Sequence, residues 1–233
     1  MHYAIISAGE GSRLAQEGVN EPKPLITLDG QPMVKRLIDI FMRCRAQSVS
    51  IIINERMTEV RQYLSALELP VPFNVVVKTS PGSLHSFHAL SRVIPEGKLC
   101  LATVDTVFRE PDFAQYINAF ERDDIHDGLW AVTPFIDDEK PLYVEVDDGL
   151  AITAFSDKAT ARSRYVSGGI YAMGHCPVEV LDRCRERGLS SMRAFQRALL
   201  EAGWKLQAHV IDKIIDVDHA ADIETAQQFI SIR

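Results

Sequence analysis

Apolar residues along this chain fall into two alternating patterns. Tyr3 to Ala8 is a continuous run of small and apolar side chains, as in a strand covered on both faces. Val49 to Ile53, Phe73 to Val77 and Leu99 to Val104 repeat that pattern. Between them, Met33, Leu37, Ile40, Phe41 and Cys44 recur at spacings of three and four, which predicts a helix with one apolar face. Val60, Tyr63, Leu64 and Leu67 predict a second helix, and Leu84, Phe87, His88 and Val93 a third. Strands that alternate with helices predict βαβ units, right-handed crossovers and a parallel sheet.

The second half of the chain reads differently. Gly128 to Phe135 is a further strand, and Leu142 to Val146 and Leu150 to Phe155 are short apolar runs joined by Asp147-Asp148-Gly149. Asp-Gly between two such runs is a hairpin signal. Ser167 to Met173 and Trp204 to Val210 predict two more strands, with helical stretches over 177–187 and 190–202 between them and a closing helix from His219 to Ile230. No repeat, low-complexity tract or linker interrupts the pattern. The expected architecture is one α/β domain over 1–233: a Rossmann-like, mostly parallel sheet flanked by helices, with a small inserted β lobe.

Composition narrows the function. With 46% hydrophobic and 24% charged residues, the chain is globular rather than disordered or coiled-coil. Its 25 basic and 32 acidic residues give a net charge of −7, which argues against partnership with nucleic acid or an anionic membrane. No apolar run reaches the length of a membrane span, and Met1 to Ser7 has no basic leader segment. Cys44, Cys100, Cys176 and Cys184 match no zinc spacing and read as reduced thiols, so a cytoplasmic location is expected. Trp130 and Trp204 are expected in the core, and Asp123-Asp124 and Asp137-Asp138-Glu139 in solvated loops.

Candidate chemistry begins directly after the first strand, at Ser7-Ala8-Gly9-Glu10-Gly11-Ser12-Arg13-Leu14. Two glycines allow a sharp turn and close approach of a ligand to the backbone. Successive N–H groups there form an anion nest, Ser12 adds a hydroxyl, and Arg13 adds a planar cation suited to phosphate. GxGxxG is excluded because Leu14 occupies the third glycine position, and the P-loop because no Gly-Lys-Ser/Thr follows. Glu21-Pro22-Lys23-Pro24-Leu25 then holds a lysine between two prolines, which predicts a stiff, extended support that aims its ammonium.

Gly9-x-Gly11-Ser12-Arg13-Leu14 followed by Pro22-Lys23-Pro24-Leu25 resembles the signature of nucleotidyltransferases that make nucleotide-activated sugars, the nucleoside-diphosphate-sugar pyrophosphorylases and related cytidylyltransferases. The resemblance implies a nucleoside triphosphate, a phosphorylated acceptor (usually a sugar 1-phosphate), pyrophosphate as leaving group, and Mg²⁺ as cofactor. It implies that Arg13 and Lys23 neutralise the triphosphate, and that Ala8, Gly9, Gly11 and Ser12 hold the nucleotide. Asp105, ending the strand Leu101 to Val104, would bind metal together with Asp216 or Asp218 from Ile214-Ile215-Asp216-Val217-Asp218, Asp216 being slightly preferred. For Asp218 a helix N-cap is the competing role. Gly82 and Ser83, in Thr79-Ser80-Pro81-Gly82-Ser83, would face the base.

On the acceptor side, Phe155-Ser156-Asp157-Lys158 resembles the family's Phe-x-Glu-Lys-Pro stretch, with Asp157 meeting an acceptor hydroxyl and Lys158 its phosphate. Asp replaces Glu here and Ala159 replaces Pro, so the acceptor is open, and an exposed ion pair is the structural alternative. Gly169, in Ser167-Gly168-Gly169-Ile170-Tyr171, would let the acceptor approach the backbone, or else serve packing or a bulge. Glu10 would place a negative charge near the phosphates. His85 and His88, three apart, read as helix-face histidines rather than metal ligands. Two alternatives accompany the sugar-1-phosphate reading: a cytidylyltransferase acting on phosphocholine or a similar small phosphate, and a non-catalytic nucleotide sensor on the same fold.

Overall fold

The computed structural model describes residues 1–9, 11–136 and 139–231. Glu10, Asp137 and Asp138 lie outside the described residues, and with them the expected placing of Glu10 near phosphates and of the Asp137-Asp138 loop.

The chain opens with β1 (His2–Ser7), α1 (Ser12–Gln16), a 3₁₀ turn (Lys23–Leu25), the short pair β2 (Thr27–Leu28) and β3 (Gln31–Pro32), and α2 (Met33–Arg43). Then follow β4 (Ser48–Ile53), α3 (Thr58–Ser65), β5 (Phe73–Val77), α4 (Ser83–Leu90), β6 (Leu99–Thr103), β7 (Thr106–Val107) and α5 (Glu110–Glu121). The second half comprises β8 (Gly128–Thr133), β9 (Tyr143–Val146), β10 (Ile152–Ser156), β11 (Tyr165–Met173), α6 (Val178–Glu186), α7 (Met192–Glu201), β12 (Leu206–Val210), β13 (Ile215–Asp216) and α8 (Ala220–Ser231).

β5, β4, β1 and β6 lie side by side and are all parallel, as the alternating pattern predicts. β11 then pairs antiparallel with β6, β8 antiparallel with β11, and β12 parallel with β8. The Asp-Gly hairpin is β9–β10, and it joins the same sheet by pairing β9 with the first residues of β11. β11 can serve these several partners because its register shifts between Ser167 and Tyr171, at Gly168-Gly169.

The continuous apolar strands are explained by two cores, one on each face. Alternate residues Tyr3 and Ile5 pack with α2, α3 and α5, while Ala4 and Ile6 pack with α4, α6 and α7. A stack of rings fills the first face: Tyr3 on Phe41 at 4.4 Å, Phe108 on Phe113 at 4.8 Å, and Phe41 and Phe113 at 5.6 Å. A third apolar cluster joins Leu14, Ile26, Leu28, Val107, Ile215 and Val217 to α8. Each charged candidate of the first site is thus a near neighbour in sequence of a buried apolar anchor.

Three elements depart from expectation. The third helix ends at Leu90, leaving Val93 exposed. α5 was not expected, although Phe113, Tyr116, Ile117 and Phe120 carry helical spacing and Pro111 and two acids occupy its first turn. Lys23 is not on an extended support: it opens the 3₁₀ turn, closed by Leu25 N to Pro22 O (2.7 Å) and Ile26 N to Lys23 O (3.2 Å). Pro24 tolerates this because its missing N–H is not needed in a first turn.

Phe113 touches both the strand and helix rings of its stack. Phe113→Ala is expected to lower stability by about 3–5 kcal/mol in equilibrium urea unfolding. A loss below about 1 kcal/mol would remove the ring stack as a determinant of this face.

Candidate functional site

The loops after β1, β4, β5 and β6 all open at the carboxyl edge of the parallel strands, where α/β sheets place their ligands. They enclose a hollow of about 620 Å³. Ala8, Gly9, Gly11, Ser12 and Arg13 form one wall, and Gly82 and Ser83, at the start of α4, form another. Gly11 takes a left-handed φ of 62° as the backbone swings from the loop into α1, a conformation that favours glycine. The α4 end is fixed by Leu84 N donating to Ser190 O (3.0 Å) and Met192 N to Ser83 Oγ (3.0 Å). The buried hydroxyls of Ser7 and Ser80 also line this hollow and have no hydrogen-bond partner among the described residues. Buried polar atoms are normally satisfied, so these two suit a polar ligand.

Lys23 reaches the floor of the hollow. Its side chain is only 8% exposed, and Nζ donates to Asp105 Oδ2 and to Asp218 Oδ1, each at 2.7 Å. Arg13 NH1 donates to the other Asp218 oxygen at 2.8 Å. Burial pulls the Lys23 ammonium down, but Asp105 and Asp218 outweigh it and hold the pKa above the usual lysine value. Burial pushes the Asp218 carboxyl up, yet the Lys23 hydrogen bond and the charges of Lys23 and Arg13 hold it below the usual range. A lone buried ammonium would be costly, and two hydrogen-bonded carboxylates compensate it.

Short strands hold the acids in register. β7 pairs antiparallel with β13, so Thr106 faces Asp216, and Val217 N donates to Asp105 O at 3.1 Å. Asp218 does not cap α8 with its carboxylate. Asp222 does, accepting from the backbone N–H groups of Asp218 (2.9 Å) and His219 (2.7 Å), which leaves the Asp218 side chain for Lys23 and Arg13. Glu17 accepts from Ala220 N and pairs with His219, tying the end of α1 to the start of α8.

Asp216 sits to one side of this cluster, accepting from Thr106 Oγ1 at 3.1 Å. It lines a second hollow of about 370 Å³, which shares Ser83, Thr103, Asp105 and Asp218 with the first. Gly169 forms part of its wall at φ 71°, where an added Cβ would lie 2.3 Å from Thr106 Oγ1. Asp157 and Lys158 are absent from the lining of this hollow. Asp157 instead pairs with Arg197 (2.7 Å) and Arg193 (3.2 Å) of α7, which hold its carboxyl below the usual range. Lys158 is exposed, its carbonyl accepting from Ser156 Oγ. The cation that does line the second hollow is Arg193, which sequence reasoning passed over. Its signal is its partnership with Arg197 four residues on, one helical turn along the same face.

Among the described residues no three His, Cys, Asp or Glu side chains converge as a metal cage. His88 turns to Asp182 at 2.8 Å, as a helix-face histidine. Asp105 and Asp218 do converge on one cation, the Lys23 ammonium. That donor set, two carboxylates with room for water, fits Mg²⁺, which binds through few protein oxygens and keeps much of its hydration. No described helix is long and apolar enough to cross a membrane.

The sequence profile of the MobA-like NTP transferase domain family matches residues 3–168, and the chain belongs to that family. A 2-aminoethylphosphonate cytidylyltransferase of Lancefieldella rimae is 24% identical over 115 residues, 48% of this chain; the match spans about half the length of that relative, 45%. The fold resembles the inositol-1-phosphate CTP transferase of T. maritima, with TM-score 0.78, 18% identity, and 98% of this chain and 97% of that one covered. It also resembles a putative glucose-1-phosphate thymidylyltransferase of Bacillus anthracis, with TM-score 0.84, 18% identity, and 100% and 96% covered.

Because the folded Asp218 pKa is depressed, its pairing stabilises the protein above the unfolded carboxylate value, near about 3.9. That contribution is lost as pH falls through the lower folded value. Wild type is expected to be more stable than Asp218→Asn at pH 6, with the gap closing towards pH 3 in urea unfolding. A gap independent of pH would show that the carboxylate charge contributes nothing. Gly169→Ala is expected to cost about 1–3 kcal/mol of stability through φ strain and the threonine clash, read as a fall in unfolding midpoint; an unchanged midpoint would contradict the close approach.

Proposed function

We propose that this member of the MobA-like NTP transferase domain family transfers a nucleoside monophosphate to a sugar 1-phosphate and releases pyrophosphate. A phosphate oxygen of the acceptor attacks the α-phosphorus of the triphosphate. The bond from that phosphorus to the bridging β-phosphate oxygen breaks, and the electron pair leaves with pyrophosphate. The observation that carries this reading is the shared wall: Asp105, Asp218, Thr103 and Ser83 line both hollows, so ligands in the two would meet at the charged cluster. Such a reaction needs positioning and charge neutralisation rather than a covalent intermediate.

In this reading the backbone around Ala8, Gly9, Gly11 and Ser12 holds the phosphates, and Gly82 and Ser83 face the base. Arg13 and Lys23 neutralise the triphosphate and the charge that develops on the leaving group. Asp105 and Asp218 would hold Mg²⁺, with Asp216 adjacent. When bound, the metal supplies charge neutralisation across the phosphates. Gly169 admits the acceptor, and Arg193 gives its phosphate a planar cation. The four free cysteines support a reducing, cytoplasmic setting.

A second reading, cytidylyl transfer to a small phosphate or phosphonate, is favoured by one particular. Asp157, which a sugar-binding site would direct at a hydroxyl, is engaged by Arg193 and Arg197. The partial match to a 2-aminoethylphosphonate cytidylyltransferase points the same way.

Pyrophosphate release should be assayed over five nucleoside triphosphates against hexose 1-phosphates, phosphocholine and 2-aminoethylphosphonate. One active combination is expected. Asp105→Asn should abolish it while circular dichroism stays native, and Arg13→Ala should lower kcat by about 10²–10³. Near-normal turnover of Asp105→Asn would overturn its role, and nucleotide binding without turnover in any combination would favour the sensor.

A further inference from the structure

Lys23 stands at the point where the two carboxylates converge. An ammonium has three donors, and two of them are used on Asp105 and Asp218 at 2.7 Å each. Arg13 holds the remaining Asp218 oxygen. The four charges cancel, two cations against two anions. A divalent cation on the same oxygens would sit at about 2.0–2.1 Å from them, against the ammonium, where like charges repel strongly. Because these four charges cancel, the Asp105–Asp218 pair also attracts an added metal far less than two bare carboxylates would.

The lysine is placed so that it can leave without unfolding the loop. Its backbone is fixed by the 3₁₀ turn, and its four-carbon stem has several rotatable bonds, so the ammonium can change partners without moving that turn. Both cations face the nucleotide hollow, whose lining includes Arg13 and Lys23. A polyphosphate there offers each of them an alternative partner. Their departure would leave Asp105 and Asp218 as an uncompensated anionic pair, which attracts a divalent ion.

We propose that Lys23 is the resident cation of the Asp105–Asp218 pair in the nucleotide-free protein. Lys23 and a divalent metal exclude each other there, and metal binds only once a triphosphate draws Lys23 and Arg13 off the carboxylates. This inference rests on the reading of Asp105 and Asp218 as metal-binding residues. It makes metal and nucleotide positively coupled, each raising the affinity of the other by the same factor.

The test is Mn²⁺ binding without nucleotide, read as loss of the free-ion electron paramagnetic resonance signal. Lys23→Met is expected to bind Mn²⁺ about tenfold or more tightly than wild type, within the usual range of such couplings. Lys23→Met/Asp105→Asn should return to weak binding. Mn²⁺ should raise the Tm of Lys23→Met and leave that of wild type unchanged. Should Lys23→Met fail to fold by circular dichroism, Lys23→Gln carries the same comparison. Wild type binding Mn²⁺ alone as tightly as the variant overturns the exclusion and leaves the metal assignment standing. Absence of binding by both also overturns it; sensitivity of wild-type pyrophosphate release to chelator then shows, separately, whether the metal assignment falls too.

Discussion

The buried ammonium of Lys23 is the interaction on which the rest of this site depends. It joins residues 82 and 195 positions away in sequence, from a turn, a strand end and the approach to the last helix. A lysine at that depth is tolerable only if both carboxylates arrive in hydrogen-bonding geometry, because an unpaired buried charge is costly. The fold secures this with apolar neighbours. Ile26 follows the Lys23 turn, Val107 follows Asp105, and Val217 precedes Asp218; all three are buried in one cluster with Leu14, the residue after Arg13. Burial of those side chains aims the charges. The pairing of β7 with β13 and the Val217 N–Asp105 O bond then set the relative height of the two acids.

The same logic explains which parts were legible in the sequence. The parallel strands were, because strands buried on both faces leave apolar runs, as β1, β4 and β6 do, and the edge strand β5 carries a run of the same kind although it is only half-buried. The Asp-Gly hairpin was legible through its turn. β7 and β13 were not, because two residues cannot display a period. The 3₁₀ turn at Lys23 was hidden because prolines on both sides signal extended chain equally well. α5 carries its signal openly, in the helical spacing of Phe113, Tyr116, Ile117 and Phe120 after Pro111. The capping of α8 by Asp222 was concealed by Asp218, which stands where a cap is expected but has its carboxylate turned towards Lys23.

The two sides of the site differ in how they are encoded, and this sets what can be inferred from each. The hollow proposed for the nucleotide is built from loops that are each continuous in sequence, such as 7–14, 22–25 and 79–83, so backbone chemistry, prolines and glycines advertise it locally. The second hollow is assembled from several elements: Ser167, Gly169 and Tyr171 of β11 meet Leu142, Arg193 of α7 and Asp216 of β13. Only the β11 residues share a local spacing, alternate along the strand; Leu142, Arg193 and Asp216 join them through β11 crossing from β9 to β6 and α7 packing over the sheet. Asp157 illustrates the consequence. A four-residue resemblance places it at an acceptor hydroxyl, yet tertiary structure supplies two arginines from α7 that claim its carboxylate first. On the proposed reading, reaction class is written in contiguous segments of this chain, whereas acceptor choice would belong to a surface that exists only after folding.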